Sequence, residues 1–292
     1  MGYKLCSGHN RSVTDLSYSA DNHGGSLLLT TSMDGSCILR DGQYGDWIRT
    51  FASSEQTSAV TGCSLTPSIA ATASRCNANV WDVETGRLLH MIKSRQAVHT
   101  CAFSMSGKKL LTGGRGSTIR IFDLDHPGQN PEILSESNKC QHGLLLTAAW
   151  LQDDQLILAT CSHEGGARIW DRRSGKICTT LEIEPAVSSS EVNQGYITIA
   201  AGSMVTFWDT TNFRCLFRYT MPCNVESASL HESKFIAGGE DGIVYMFDLY
   251  TRREIDRSYI TDLGAVSCAR FSPDGKSYAS GFSNGSVIIK EF

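Results

Sequence analysis

The chain of 292 residues carries 26 basic and 30 acidic side chains, a formal net charge of −4, so no strong field favours nucleic acid or an anionic membrane, and neither is expected as a partner. No apolar run approaches the roughly 18 residues of a membrane-spanning helix, and no signal peptide is recognised. Eleven cysteines, an odd number without CxxC spacing, argue against a disulfide framework and point to a reducing, intracellular setting. There Cys37, Cys63, Cys101, Cys161, Cys178, Cys215 and Cys268 serve as small hydrophobes within β-prone runs.

In chain order, Tyr3, Lys4 and Leu5 form a short β-prone run ahead of the first complete unit. A first strand then begins at Val13, a third strand ends at Arg40-Asp41, and Trp47 to Phe51 supplies a fourth. The order recurs, with first strands beginning at Val60, Val98, Leu145, Val187, Val225 and Val266. Third strands end on Asp82, Asp123, Asp171, Asp209, Asp248 and Glu291, so that successive acids, counted from Asp41, lie 41, 41, 48, 38, 39 and 43 residues apart. The residue before the acid is Trp81, Phe122, Trp170, Trp208 or Phe247 in five units, with Arg40 and Lys290 as the exceptions. Outer strands are expected at Arg87 to Ile92, Pro131 to Leu134, Lys176 to Leu181, Arg214 to Tyr219 and Arg253 to Tyr259. The longest step contains Asp125 to His142, which reads as a loop insertion. The last unit, Val266 to Glu291, shows the punctuation most clearly. Ser272-Pro273-Asp274-Gly275 presets a tight reversal, and Asn284-Gly285 is a two-residue hairpin signal.

Three or four short strands cannot cover their own faces in water, so such units must stack. Seven phased copies near 40 residues predict an all-β fold, a seven-bladed WD-repeat β-propeller filling residues 1–292 as one domain. The seventh unit stops after its third strand, so the N-terminal run is expected to complete that blade and close the ring, removing a free sheet edge. Gly8-His9, Ser32 and Asp34 fit a buried network that normally reaches the blade's Trp, but Arg40 stands in its place. The corresponding His column reads Gln56, Ser94, Gln141, Ile183, Met221 and Asp262 elsewhere, so the blades are expected to rely on apolar packing.

The eight histidines show no metal-ligand spacing, and no Walker loop, nucleophile elbow or dinucleotide fingerprint is present. Gly113-Gly114-Arg115-Gly116 falls between a second and a third strand and reads as a hairpin turn. The acidic column puts one carboxylate in each blade, too far apart to pair as acid and base. Catalytic residues, cofactor and metal are therefore all expected to be none. What remains is surface: one rim gathers the loops before the first strands and the turns between second and third strands around a channel mouth. Its candidate protein-binding residues are Arg11, Met33, Arg75, Arg115, His163, Glu240 and Ser283, including the Arg and Met types enriched at interface centres. Trp170, Asp171 and Arg173 also fit the W-D-x-R box of cullin-RING ubiquitin-ligase substrate receptors, although an Arg beyond a Trp-Asp pair is common in these repeats.

The chain further resembles the serine-threonine kinase receptor-associated family of WD-repeat proteins. The likeness is carried by Cys6-Ser7-Gly8-His9, by Leu39-Arg40 followed by Gly45-Asp46-Trp47-Ile48, by Leu110-Leu111-Thr112-Gly113-Gly114, by Ser227-Ala228-Ser229-Leu230-His231 with Ala237-Gly238-Gly239-Glu240-Asp241, and by Arg270-Phe271-Ser272-Pro273-Asp274-Gly275. Arg40 is the most specific of these, because it breaks the generic repeat as the family does. Departures lie in the second blade, which lacks the Gly-His pair, and in Arg75 to Asn79. The resemblance implies a non-enzymatic scaffold in the cytoplasm and nucleus, a monomer within larger complexes. Implied partners are subunits of the SMN complex that loads Sm proteins onto spliceosomal small nuclear RNAs, together with TGF-β receptor kinases and Smad proteins. The WD-repeat subunit of eukaryotic initiation factor three, with a similar last blade, is the second resemblance.

Overall fold

The computed structural model describes residues 2–21, 24–52, 58–75, 77–135, 143–151, 154–161 and 166–292. They form seven antiparallel sheets of four strands, each sheet running from an inner to an outer strand. The inner strands are Val13–Ala20, Val60–Leu65, Val98–Phe103, Leu145–Leu151, Val187–Asn193, Val225–His231 and Val266–Phe271. Every expected first-strand start and every expected third-strand acid coincides with a strand end.

Each coincidence has a local cause. The first residue of each inner strand is buried between neighbouring sheets, with Val13, Val60 and Val266 at 0% exposure. The terminal Asp caps the turn that follows: Asp41 Oδ1 accepts from the Gln43 and Tyr44 amides, Asp82 from Thr85, Asp171 from Arg173, Asp209 from Thr211 and Asn212, and Asp248 from Tyr250 and Thr251. The acidic column is thus turn chemistry. Outer strands begin or end one residue from expectation in four blades, at Leu88–Lys93, Glu132–Leu134, Cys215–Thr220 and Glu254–Tyr259.

The N-terminal strand Tyr3–Cys6 completes the seventh blade by pairing antiparallel with Val287–Glu291, with Leu5 opposite Ile288 and Cys6 opposite Val287. Second strands, sandwiched on both faces, are nearly continuous in burial: Ala70, Ala71, Thr72 and Ala73 are solvent-free, as are Leu28 and Leu29. Between the first two blades Leu29, Phe51, Val60 and Trp81 share one apolar cluster, with the Phe51 and Trp81 rings 5.6 Å apart. Ile183 and Met221 fill the His column of blades five and six as buried apolar residues. Two cysteines depart from expectation: Cys178 is exposed and Cys215 half-buried, because both lie on outer strands where alternate residues face solvent.

Apolar packing is only part of what joins the blades, which corrects the sequence expectation. Each inner strand carries a β-bulge at its second residue: Thr14, Thr61, His99, Leu146, Ser188, Glu226 and Ser267. A bulge re-aims a side chain. Thr14 Oγ1 donates to Val60 O at 2.6 Å, Thr61 to His99 O at 2.9 Å, Ser188 to Val225 O at 2.7 Å and Ser267 to Val13 O at 2.6 Å, each carbonyl belonging to the next inner strand round the ring. The other three seams are bridged by Trp150 Nε1 to Ala102 O, by Thr147 with Ser190, and by the Ala269 and Phe271 amides to Ser227 and Ser229. All seven seams therefore carry a directional bond as well as apolar area.

Candidate docking rim and channel

On the rim, turn and loop are tied together within blades one, three, six and seven, and the turns of blades two and five bond the first strand of the next blade. The amide of Met33 donates to Ser12 O at 3.0 Å, Arg115 to Ala97 O at 2.9 Å, Glu240 to Asn224 O at 3.1 Å and Ser283 to Ala265 O at 2.9 Å. Such close approach requires glycine beside the turn: a Cβ on Gly114 would meet Ala97 O at 1.9 Å, and one on Gly239 would meet Asn224 O at 1.8 Å. Arg75 O accepts from Val98 N at 3.2 Å, and Arg11 O accepts from Ser32 Oγ at 2.9 Å. The backbone is thus held while the side chains of Arg11, Met33, Arg75, Arg115, Glu240 and Ser283 remain exposed around one mouth. His163 lies outside the described residues, as do Gln56 and Gln141.

Below that mouth the inner strands enclose a channel cavity of about 360 Å³. Its charged side chains come from different blades, which the sequence did not reveal. Arg270 Nε stands 3.8 Å from Glu191 Oε1, and its Nη1 donates to Ser227 Oγ at 3.0 Å and Ala269 O at 2.9 Å. Asp15 accepts from the amides of Leu16 and Cys63, and Glu191 from the Leu230 amide. Burial pushes both carboxyls above their ordinary range, against the pull of Arg270. Burial lowers the Arg270 value, but Glu191 and then Asp15 outweigh it and raise the guanidinium overall. His99, on the same wall, is lowered by burial. Backbone amides satisfy the carboxylates, Ser227 and a carbonyl satisfy the guanidinium, and the charges come from blades one, five and seven. Among the described residues no group of three His, Cys, Asp or Glu side chains is placed to hold a metal ion.

The first blade keeps its His network but ends it differently. His9 Nδ1 lies 2.5 Å from Ser36 Oγ and Nε2 lies 2.8 Å from Thr30 Oγ1, while Asp34 accepts from Ser36 and from the Asn10 amide. Ser32, expected in that chain, bonds Arg11 O and receives the Asp34 amide instead. Arg40 is 2% exposed, donates to Ser7 O at 2.6 Å and to Gly45 O at 3.4 Å, and lies 5.4 Å from the Trp47 ring centre. In blades two and five the conventional tryptophans donate to threonine, Trp81 to Thr72 and Trp208 to Thr206.

Trp170, Asp171 and Arg173 lie where a third strand passes into its outer turn, on the end of the blade away from this mouth. Trp170 is buried, Asp171 caps the turn through the Arg173 amide, and the Arg173 side chain is exposed.

A family model described as WD domain, G-beta repeat, matches residues 3–41, 86–123, 137–171 and 257–289. The chain is 38% identical over 290 residues to a Dictyostelium discoideum protein named serine-threonine kinase receptor-associated protein, covering 98% of this chain and 97% of that one. The Gallus gallus protein of the same name is 35% identical, covering 97% of this chain and 81% of that one. Subunit I of eukaryotic translation initiation factor 3 from Culex quinquefasciatus is more distant, 25% identical with 99% and 96% covered.

Proposed function

The chain belongs to the WD-repeat family of serine-threonine kinase receptor-associated proteins, and on that premise we propose that it is a non-enzymatic, single-domain scaffold that docks protein partners on the rim of its propeller. The observation that carries this reading is the backbone tie between rim turns and entry loops, within blades one, three, six and seven and from blade two to blade three, which holds exposed Arg and Met side chains in fixed places around one mouth. The channel beneath supports it, because Arg270, Glu191 and Asp15 there spend their bonds on backbone groups, on Ser227 and, for Arg270 and Glu191, on each other.

Its partners in this reading are SMN-complex subunits, in assembly of Sm proteins on spliceosomal RNAs, and receptor kinases with their Smad proteins, as the relatives' shared name suggests for the kinases. It acts as a monomer within those complexes, in cytoplasm and nucleus. Affinity purification from the source cells, with identification of what co-purifies, tests this: SMN-complex and Sm subunits are expected. Recovery of initiation-factor subunits without them would replace the reading with the translation-factor one. A ubiquitin-ligase role predicts adaptor binding that Arg173→Ala abolishes.

A further inference from the structure

The rim is sorted by charge around the ring. On blades one to three, Arg11, Arg75, Arg95 and Arg115 are exposed, and none of the four pairs with a carboxylate among the described residues. Among the described residues of these loops the acid is Asp34, which accepts from the Asn10 amide and from Ser36. Across the mouth, on blades five to seven, Glu182, Glu184, Glu226, Glu240 and Asp262 are exposed. The loops 182–186, 202–203, 221–224, 240–242, 260–265 and 283–286 contain no Lys, Arg or His. One mouth thus bears a basic arc and an acidic arc facing each other.

We infer that the rim recognises a protein segment or surface bearing both signs, its acidic part laid over blades one to three and its basic part over blades five to seven. This rests on the rim-docking reading and adds the partner's chemistry and orientation to it. At physiological salt the Debye length is about 8 Å, so the arcs act largely independently, and a partner of one sign engages only one of them. A partner carrying both gains the second contact at high effective concentration. An RNA would meet the arginines but would have to extend over Glu226, at the channel mouth, and the acids beyond it.

The test uses the full chain and four fluorescent probes: a glutamate block joined by a Gly-Ser linker to a lysine block, each block alone, and a single-stranded RNA. Anisotropy titrations at about 150 mM salt should show the two-block peptide binding at least about tenfold more tightly than either block. Arg75→Glu/Arg95→Glu/Arg115→Glu should abolish the glutamate-block contact and spare the lysine block; Glu184→Lys/Glu240→Lys/Asp262→Lys should do the reverse, with unchanged melts showing that both proteins fold. No gain from joining the blocks, or RNA binding as tight as the two-block peptide, overturns the inference. If that happens while the charge-reversed proteins still lose the partners recovered from cells, rim docking stands and only the bipolar reading falls. If they keep those partners, rim docking itself is wrong.

Discussion

Protonation of His9 should measurably weaken the fold. The ring is 7% exposed and held between Ser36 and Thr30. Burial, aided by Arg40 and opposed by Asp34, lowers its pKa from 6.5 to about 4. A folded-state value below the unfolded one means that the fold favours the neutral ring, so this contribution is complete above pH 6.5 and is lost as pH falls toward 4. The full difference is about 3 kcal/mol, of which about 2 kcal/mol has gone by pH 5. Asp15 and Glu191, raised by burial, act with the opposite sign, costing stability as pH rises through their folded values. That term is common to wild type and to His9→Gln, so it cancels in the comparison. Urea unfolding at pH 7 and pH 5 should therefore show wild type losing about 2 kcal/mol more than the variant. Parallel losses in the two proteins would refute the buried, neutral ring.

Removing residues 2–6 takes away four cross-strand pairs and uncovers the outer edge of Val287–Glu291, and should cost on the order of 3 kcal/mol or more. Calorimetry should show a melt lower by several degrees, and an unchanged melt would contradict closure by this strand. Arg270→Met leaves Glu191 and Asp15 buried without their cation and should cost about 3–5 kcal/mol, with Arg270→Met/Glu191→Gln recovering part of the loss in denaturant titrations. Gly239→Ala drives a methyl into the Asn224 carbonyl and should cost about 1–3 kcal/mol, whereas Gly128→Ala, with open space around it, should stay within about 0.5 kcal/mol.

The fold was legible where a residue type has one local job. Asp171 and Asp209 mark strand ends because each caps the turn it precedes, and Val60 and Val266 mark strand starts because the first inner position is buried on both sides. Outer strands shifted by a residue because their alternation has an apolar half on one face only, leaving Arg87 or Lys93 equally acceptable at an end. The belt of Thr14, Thr61, Ser188 and Ser267 was not legible. A hydroxyl at the second place of a strand reads as a solvent-facing residue, and only the bulge turns it toward the neighbouring blade.

The rim illustrates a different limit. Arg75, Arg115 and Glu240 could be assigned to it singly, because repeat phase fixes which turns share a face, yet their sorting by sign does not show in a net charge of −4. Arg172, Arg173, Arg214, Arg252 and Arg253, in turns at the opposite ends of blades four to six, offset the rim acids of the same half of the chain. A closed propeller converts position along the chain into angle around an axis, and strand order into one face or the other. Charge summed over a segment mixes the two faces, whereas charge summed over the rim loops alone keeps the angle. A bipolar mouth is therefore visible only once blade phase has been assigned, and charge-reversed rim proteins are the direct way to ask whether that arrangement orients a partner.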